Sequence, residues 1–546
     1  MAREPRGVRG ILSAKVVEKP MAKKQSFFGG AAVLAAGIII VKLIGALFKI
    51  PLANVLGETG NGIFNQSYYI YSVFLSVSTA GLPVALSKLV SEARSLGRER
   101  QARKIFRVSF AVFFALGLAS FLAMWFGNTF FAGFLENSKT ALGIRALAPA
   151  VFCVGCLSAF RGYAQGCGNM TPTAVSQILE AVCKLFVGLG LALYLVRAGE
   201  AVEVAAAGAI TGVTVGTILS LVYLLANYLR RREPPRTADV PDGAGAIARQ
   251  LLKYAVPITL SSSMVALIST IDSKFVMMQL QDKLRYTEDA ASALYGTYGA
   301  AMNLYNLPSS LMAALTASVI PYLSAALARR DAAGAKAVIG SSLRVTALLA
   351  FPMGLGLWAL ATPIMALLYP RYDAELGGAL LAVLGVASLF VCLMLISNAI
   401  LQAHGQVYVS IVTMLLGGVV KIALNYRLVA IPAVNIHGAP IGTLCCFAAV
   451  AALNLYFVRR AAAEKPNYLA LFAKPLLASL LMALCARAAY TALYARVASA
   501  ALCTGVSIVL AVAVYAALIV ALRVVTRDDL ALLPKGEKLA RLLRVK

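Results

Sequence analysis

Residues 29–57 read GGAAVLAAGIIIVKLIGALFKIPLANVLG, and this stretch decides the fold. An apolar run of this length is able to cross a bilayer as a helix. It nevertheless contains Lys42 and Lys49, and a lysine near the bilayer centre costs about 2.5–3.5 kcal/mol on insertion scales. The two lysines are seven residues apart, so they share one helix face. We therefore predict that this face lines a water-filled cavity.

The composition of the whole chain extends this interpretation. The 546 residues are 60% hydrophobic and 13% charged, with a mean hydropathy of +0.81. A soluble domain carries about a quarter charged residues. The apolar stretches are long enough for spanning helices, whereas barrel strands would alternate over about ten residues. The chain is therefore predicted to be an all-α integral membrane protein with fourteen transmembrane helices.

The net charge of +27 could indicate a nucleic-acid partner, but the distribution of the basic residues favours a membrane explanation. Most lysines and arginines lie in the loops on the side of the N-terminus. The opposite loops contain only Lys139, Arg197, Lys283, Arg285, Arg371, Arg427 and Arg496. Under the positive-inside rule, this bias places both termini in the cytoplasm and requires an even number of crossings. No nucleic-acid partner is expected.

An internal repeat predicts the domain organisation. Gln165, Gly168 and Lys184 recur at constant spacing as Gln402, Gly405 and Lys421. Six helices separate the copies, so both keep the same topology, which predicts two lobes with a site between them. The predicted organisation is a basic cytoplasmic segment at 1–28, an N-lobe at 29–230 (helices 1–6), a cytoplasmic linker at 231–252, a C-lobe at 253–460 (helices 7–12), two further helices at 461–524 and a basic cytoplasmic tail at 525–546.

Charged residues inside the predicted spans define the candidate site. We predict a cationic central cavity that binds an anionic substrate through Lys42, Lys49, Lys184, Lys274 and Lys421. The alternative is that a helix neighbour neutralises each charge, or that each side chain snorkels to the headgroups. Glu180 lies four residues before Lys184, so the two are able to pair along one helix.

Three further residues receive hypotheses of their own. Asp272 and Glu180 are candidates for an ion-coupling role, as a cation or proton site. Arg487, in the thirteenth predicted helix, either lines a groove for a lipid tail or snorkels to the membrane surface.

The sequence contains no recognisable motif for catalysis or cofactor binding. The chain has no P-loop and no H-E-x-x-H, and its two histidines, His404 and His437, both lie near loops. Cys153 and Cys156 form a C-x-x-C inside a hydrophobic segment without a second pair. We therefore expect no catalytic residue, no metal and no bound cofactor, and ATP-driven transport by this chain alone is unsupported.

Two stretches of the sequence resemble a known family. They are KLIGALFKIPLANVLGETGNG at 42–62 and YNLPSSLMAALTASVIPYLSAA at 305–326, and the two Gln-x-x-Gly turns agree with them. The chain resembles the stage V sporulation protein B family of polysaccharide-biosynthesis membrane proteins. That family belongs to the multidrug/oligosaccharidyl-lipid/polysaccharide exporter superfamily, together with the lipid II flippases. The resemblance implies fourteen helices, two lobes in a V shape and alternating access.

The resemblance also implies a function. It is the transfer of a lipid-linked sugar pyrophosphate, above all lipid II, from the inner to the outer leaflet of a bacterial plasma membrane. The implied roles lie in peptidoglycan synthesis, the cell wall and cell shape, or in sporulation. We further expect a monomeric chain among membrane lipids. Energy would come from a cation gradient or the membrane potential.

The resemblance assigns site roles as well. In lipid II flippases, basic residues of the first helix face the cavity. Lys42 matches that position, whereas Lys49 is one residue out of register. The last two helices of that family form a lipid-tail groove, which would contain Arg487.

Two other functions compete with the flippase hypothesis. A cation-coupled multidrug exporter of the same superfamily would have twelve helices and a more acidic cavity. A membrane glycan polymerase or ligase would have clustered catalytic residues on a large outer loop. The interior lysines, the unrepeated helix pair and the short outer loops favour the flippase.

Overall fold

A computed structural model describes residues 27–79, 81–230, 237–497, 499–522 and 524. Within these ranges every regular element is a helix, which confirms the predicted all-α fold class. A membrane-spanning segment must satisfy its backbone hydrogen bonds internally, and the long apolar stretches do so as helices. The basic tail at 525–546 and nearly all of the basic segment at 1–28 lie outside the described residues.

The helices follow one another through short turns. In chain order they are α1 (Phe27–Thr79), α2 (Gly81–Ser95), α3 (Glu99–Phe126), α4 (Asn128–Phe134), α5 (Thr140–Gly166), α6 (Thr171–Cys183), α7 (Leu189–Arg197), α8 (Val202–Arg230), α9 (Ala244–Met278), α10 (Glu288–Ala328), α11 (Ala332–Ala359), α12 (Ala361–Leu368), α13 (Ala374–Ala403), α14 (Val407–Leu428), α15 (Gly438–Ala461), α16 (Tyr468–Val497) and α17 (Ala500–Ala521). A π-helical turn, Lys184–Gly188, joins α6 to α7.

Helix α1 folds back on itself at Gly57. The backbone there has φ 69° and ψ −175°, a conformation that glycine adopts without steric cost. The rings of Phe48 and Phe64 lie 6.2 Å apart, centroid to centroid. A straight helix would place residues at this separation about 24 Å apart. The stretch at 29–57 is therefore the first limb of a hairpin, and the second limb begins at Glu58.

Most of these helices are able to cross a membrane. Within the described residues, eleven are long and apolar enough by composition, and one of these, Ile40–Ser95, contains the reversal at Gly57. Helices α9 and α10, with 35 and 41 residues, also exceed the length needed to cross the hydrocarbon core. The number of fourteen crossings stays a prediction, because length and apolarity show only which helices are able to span.

The repeat corresponds to two equivalent turns. Gly168 and Gly405 have φ angles of 75° and 76°. The N–H of Gly168 donates to the carbonyl of Gln165 at 2.8 Å, and that of Gly405 donates to Gln402 at 3.0 Å. These turns end α5 and α13 in the same left-handed geometry. The predicted lobe boundaries themselves stay a prediction.

Each half of the chain packs around one central helix. In the first half, 27–230, α5 contacts α1, α3 and α8. In the second half, 244–461, α13 contacts α10, α11 and α15. Both central helices are largely buried. Helices α16 and α17 pack on each other, and α16 packs against α11, so this pair lies outside the two central packing groups.

The halves meet closely at one end of the bundle, which we call the outer face after the charge-based prediction. At the crossing of α1 and α10, a Cβ atom on Gly296 would lie 1.8 Å from the carbonyl oxygen of Glu58. A Cβ on Gly62 would lie 2.2 Å from that of Ser292. The side-chain amide of Asn61 donates to the carbonyl of Gly296 at 2.8 Å. This backbone-to-backbone crossing requires glycine on both helices.

Polar contacts between the halves surround this crossing. Asn137 donates to the Ser292 hydroxyl at 2.8 Å, and the Tyr372 hydroxyl donates to the carbonyl of Ala53 at 2.9 Å. Lys139 forms an ion pair with Asp289, and the hydrogen bond between them raises the pKa of the Lys139 ammonium. A raised pKa means that this pair contributes stability at neutral pH and loses it only above about 10.5. The outer face is therefore closed by packing and by hydrogen bonds.

The opposite end, the inner face, is joined by the segment that precedes α9. The Gln101 backbone N–H donates to the Asp239 carboxylate at 2.8 Å, and the Gln101 side-chain amide donates to Asp242 at 2.7 Å. Asp239 thereby caps the N-terminus of α3. Helix α9 begins at Ala244, inside the predicted linker 231–252, and its residues Ile247 and Leu251 are buried among α2 and α3.

We expect Gly296→Ala to force α1 and α10 apart at the outer face, because the added Cβ overlaps the Glu58 carbonyl. The measurement is labelling of Ser273→Cys by a membrane-impermeant maleimide, in a background with the nine native cysteines replaced. Ser273 is fully buried, so labelling should increase severalfold in the Gly296→Ala variant. Gly340→Ala in α11, whose Cβ would meet nothing within 4 Å, serves as the control. Unchanged labelling would contradict the proposed closure.

Candidate substrate-binding site

Lys184 lies between the two limbs of the α1 hairpin. Its Nζ is 4.6 Å from the ring centroid of Tyr68 on the second limb and 5.2 Å from that of Phe48 on the first. Both distances are typical of cation–π interactions. Lys184 also begins the π-helical turn, and such turns inside α-helices often mark functional sites. The hairpin and the π-turn together hold this half-buried ammonium.

Lys42 and Lys49 extend the positive charge along the first limb of α1. Lys49 is half-buried, and both Lys184 and Lys42 are near enough to repel its ammonium. Lys42, which lies about two turns further toward the inner end, is exposed. We call Lys42, Lys49 and Lys184 the lysine cluster. It brings together three of the five lysines that the sequence predicted for the substrate site.

Glu180 has a different partner from the predicted one. Its carboxylate accepts a hydrogen bond from the Arg161 guanidinium at 2.9 Å, and Arg161 also donates to the Ser176 hydroxyl at 2.9 Å. Arg161 was not singled out in the sequence analysis, and it lies inside α5 because this helix continues to Gly166. With Arg161 included, the first half gathers four cations against the single carboxylate of Glu180.

Lys421 and Asp272 form a buried ion pair in the second half. The Lys421 Nζ is 2.8 Å from Asp272 Oδ2, and the side chains are 10% and 3% exposed. The Asn425 amide donates to the other carboxylate oxygen. Lys421 thus differs from its predicted place in an open cavity. Asp272, predicted for ion coupling, has both oxygens engaged by side chains of α14.

The two remaining predicted residues lie apart from both groups. Lys274 Nζ is 4.5 Å from the ring centroid of Phe134, so α9 contacts α4 across the halves. Arg487 is exposed on α16 beside the exposed side chains of Leu480 and Leu484. Their predicted roles in substrate and lipid binding stay predictions. Within the described ranges, no group of three or more His, Cys, Asp or Glu residues is arranged to hold a metal ion.

Charged side chains buried within apolar helices are typical of membrane transporters. The fold agrees with that class. The structure of the lipid II flippase MurJ in an inward closed conformation is similar to this one. The alignment covers 89% of this chain and 98% of the MurJ chain, with a TM-score of 0.64 and 13% identity. An inward-facing MATE family multidrug resistance transporter covers 79% and 98%, with a TM-score of 0.63 and 16% identity. At these identities the likeness shows that the chain shares the fold of these transporters.

The family follows from the sequence comparison. The chain belongs to the polysaccharide biosynthesis protein family, whose model matches residues 27–327. A MatE model matches residues 285–427. These matches confirm the resemblance found in the sequence.

Relatives from Bacillus subtilis cover most of the chain. The membrane protein YabM is 28% identical over 96% of this chain and 97% of its own length. The lipid II flippase MurJ is 25% identical over 79% of this chain and 82% of its own. Stage V sporulation protein B is 26% identical over 76% and 80%. The chain is therefore similar to multi-pass bacterial membrane proteins.

We expect Lys421→Met to lower the free energy of unfolding by about 3–5 kcal/mol, because it leaves the Asp272 carboxylate buried without its cation. The double variant Lys421→Met/Asp272→Asn should recover most of that loss. Thermal unfolding in detergent measures both.

The control for this cycle is Lys88→Met, which removes one member of an exposed pair with Glu92. It should change stability by no more than about 1 kcal/mol. Equal effects of Lys421→Met and Lys88→Met, or no recovery in the double variant, would contradict the importance of the buried pair.

Proposed function

We propose that this protein is a flippase that moves a lipid-linked oligosaccharide precursor, most specifically lipid II, from the inner to the outer leaflet by alternating access. The observation that carries the proposal is the lysine cluster, which lies inside the membrane-spanning part of the first half. The relatives support the substrate class, because one of them is named as a lipid II flippase.

The charge of the cluster suits a pyrophosphate. Such a head group carries about two negative charges, and burying an unpaired charge in hydrocarbon is prohibitively costly. Four cations and one carboxylate leave a positive surplus in the first half. That surplus would replace the water lost by the head group, while the lipid tail remains in the bilayer.

The way in which Lys184 is held also supports anion binding. Its ammonium contacts the rings of Phe48 and Tyr68. Among the described residues, no carboxylate lies within salt-bridge distance of it. A cation–π contact contributes about 0.5–2 kcal/mol. A charge-assisted hydrogen bond to a phosphate oxygen is at least as strong, so a substrate is able to take over the ammonium without breaking an ion pair.

The proposed energy source is the membrane potential. Asp272 and Glu180, the two candidates for ion coupling, are engaged by Lys421 and Arg161. An inside-negative potential favours outward movement of an anionic head group, by about 2.3 kcal/mol per charge and 100 mV. Coupling through the potential therefore agrees in sign with transfer to the outer leaflet.

A cation-coupled multidrug exporter remains the second candidate. The MatE match and the MATE transporter structure favour it at the level of the fold. A cationic drug would be repelled by the lysine cluster, which favours the flippase. Production of the protein should therefore give no increase in efflux of a cationic dye.

The first test is the amount of lipid II that is accessible at the outer surface of cells depleted of their own lipid II flippases. Producing this protein should restore externally accessible lipid II. Efflux of the cationic dye without restored lipid II at the outer surface would contradict the flippase assignment and favour the exporter.

We expect Lys184→Ala to reduce the restored signal at least about tenfold, because it removes a charge-assisted phosphate contact. Arg145→Ala is the matched control, since Arg145 also lies over an aromatic ring, Trp125 at 4.5 Å, but outside the lysine cluster. Both variants should reach normal levels in the membrane. Equal activity of the two variants would show that Lys184 does not bind the substrate.

A further inference from the structure

A cavity with charged lining residues lies at the inner face, in the second half of the chain. It has a volume of about 250 Å³ and lies where the α10–α11 turn, the α13–α14 turn and the segment after α15 meet. Its charged or titratable lining residues are Arg330, Asp331, Lys336, His404 and Glu464. The volume is below the range of about 300–1,000 Å³ that is typical of drug-sized ligands, so it suits a small head group.

Both carboxylates of the cavity already have partners. The Asp331 carboxylate accepts a hydrogen bond from the Gly334 backbone N–H at 2.8 Å and caps α11. Glu464 forms an ion pair with Lys336. Asp331 keeps its negative charge, but the described residues here form no group of three His, Cys, Asp or Glu placed to hold a metal ion.

Among the described residues, Arg330 is a lining residue whose charge has no ion-pair partner. It is exposed to the cavity, and the described residues contain no carboxylate within ion-pair distance of its guanidinium. Its backbone has φ 56°, a strained left-handed value for a residue with a side chain. The other short inner turns have glycine at the left-handed position, namely Gly97, Gly168 and Gly405. Among the described inner turns, the one that lines this cavity has arginine at that position, whereas Glu136, Arg285 and Asn435 have left-handed φ at outer turns.

His404 lies opposite Arg330 on the α13–α14 turn. Its Nδ1 is 2.9 Å from the carbonyl oxygen of Ile400, so this contact orients the ring. The side chains of Leu327 and Ile339 give the cavity an apolar wall. The combination of an unpaired guanidinium, an imidazole and an apolar wall matches a phosphate attached to a short apolar group.

We propose that this inner cavity binds a phosphate group, with Arg330 as its principal ligand, separately from the substrate site. Basic pockets between membrane helices at the cytoplasmic surface bind anionic head groups. Lys336 stays paired with Glu464, so Arg330 supplies the positive charge that is available to a bound anion. A bound phosphate would join three connections of the second half and stabilise them against one another.

The test uses the purified full-length protein in a neutral detergent. Inorganic phosphate and dihexanoyl phosphatidylglycerol are titrated separately, and the unfolding temperature and the heat of binding are recorded. Saturable binding of phosphate alone would show that the free anion suffices. Binding of the short-chain lipid alone would show that the site requires a lipid head group, and both outcomes support the site.

The decisive variant is Arg330→Gly, which removes the guanidinium and suits the left-handed backbone, so the protein should stay folded. We expect its affinity for the bound probe to fall about tenfold. Arg329→Ala removes the neighbouring exposed arginine, which does not line the cavity, and should keep normal affinity. No saturable binding of either probe, or equal affinities in both variants, would overturn the proposal. Normal lipid II transfer by the Arg330→Gly variant would show that this cavity is separate from the substrate site of the proposed flippase.

Discussion

The contact of the Lys184 ammonium with the rings of Phe48 and Tyr68 is the interaction on which the proposed function depends. It exists because α1 reverses at Gly57 and brings the two rings, far apart in the sequence, to one place. The same reversal places the second limb of α1 against α10, where the halves close at the outer face. One hairpin thus forms both the charged interior and the contact that would have to open for transfer.

The two halves treat their interior charges differently, although the sequence repeat relates them. Lys184 and Lys421 occupy corresponding positions, yet Lys184 faces aromatic rings and Lys421 faces the Asp272 carboxylate. An interior ion pair is neutral and is disrupted only at high cost. An ammonium held by rings keeps its charge available. We infer an asymmetric carrier, in which the first half binds the anionic head group and the second half is internally neutralised.

Much of this arrangement could be predicted from the sequence, because it depends on local signals. Apolar length predicts the helices, and the Gln-x-x-Gly pattern marks the turns at Gly168 and Gly405, where a left-handed residue is needed. Spacing within one helix also placed Lys42 and Lys49 on one face. The partners of Glu180 and Lys421 could not be predicted in this way, because Arg161 and Asp272 come from other helices. Their pairing depends on how the helices pack, which no periodicity reveals.

The central claim is that the positive surplus of the first half, and not the ion pair of the second, binds the substrate. The direct test is the affinity of purified protein for lipid II, measured by native mass spectrometry. The account predicts that Lys184→Ala weakens binding at least about tenfold. It also predicts that the neutral double variant Lys421→Met/Asp272→Asn binds as the unaltered protein does. Undiminished binding by Lys184→Ala, or an equal loss in the double variant, would contradict it.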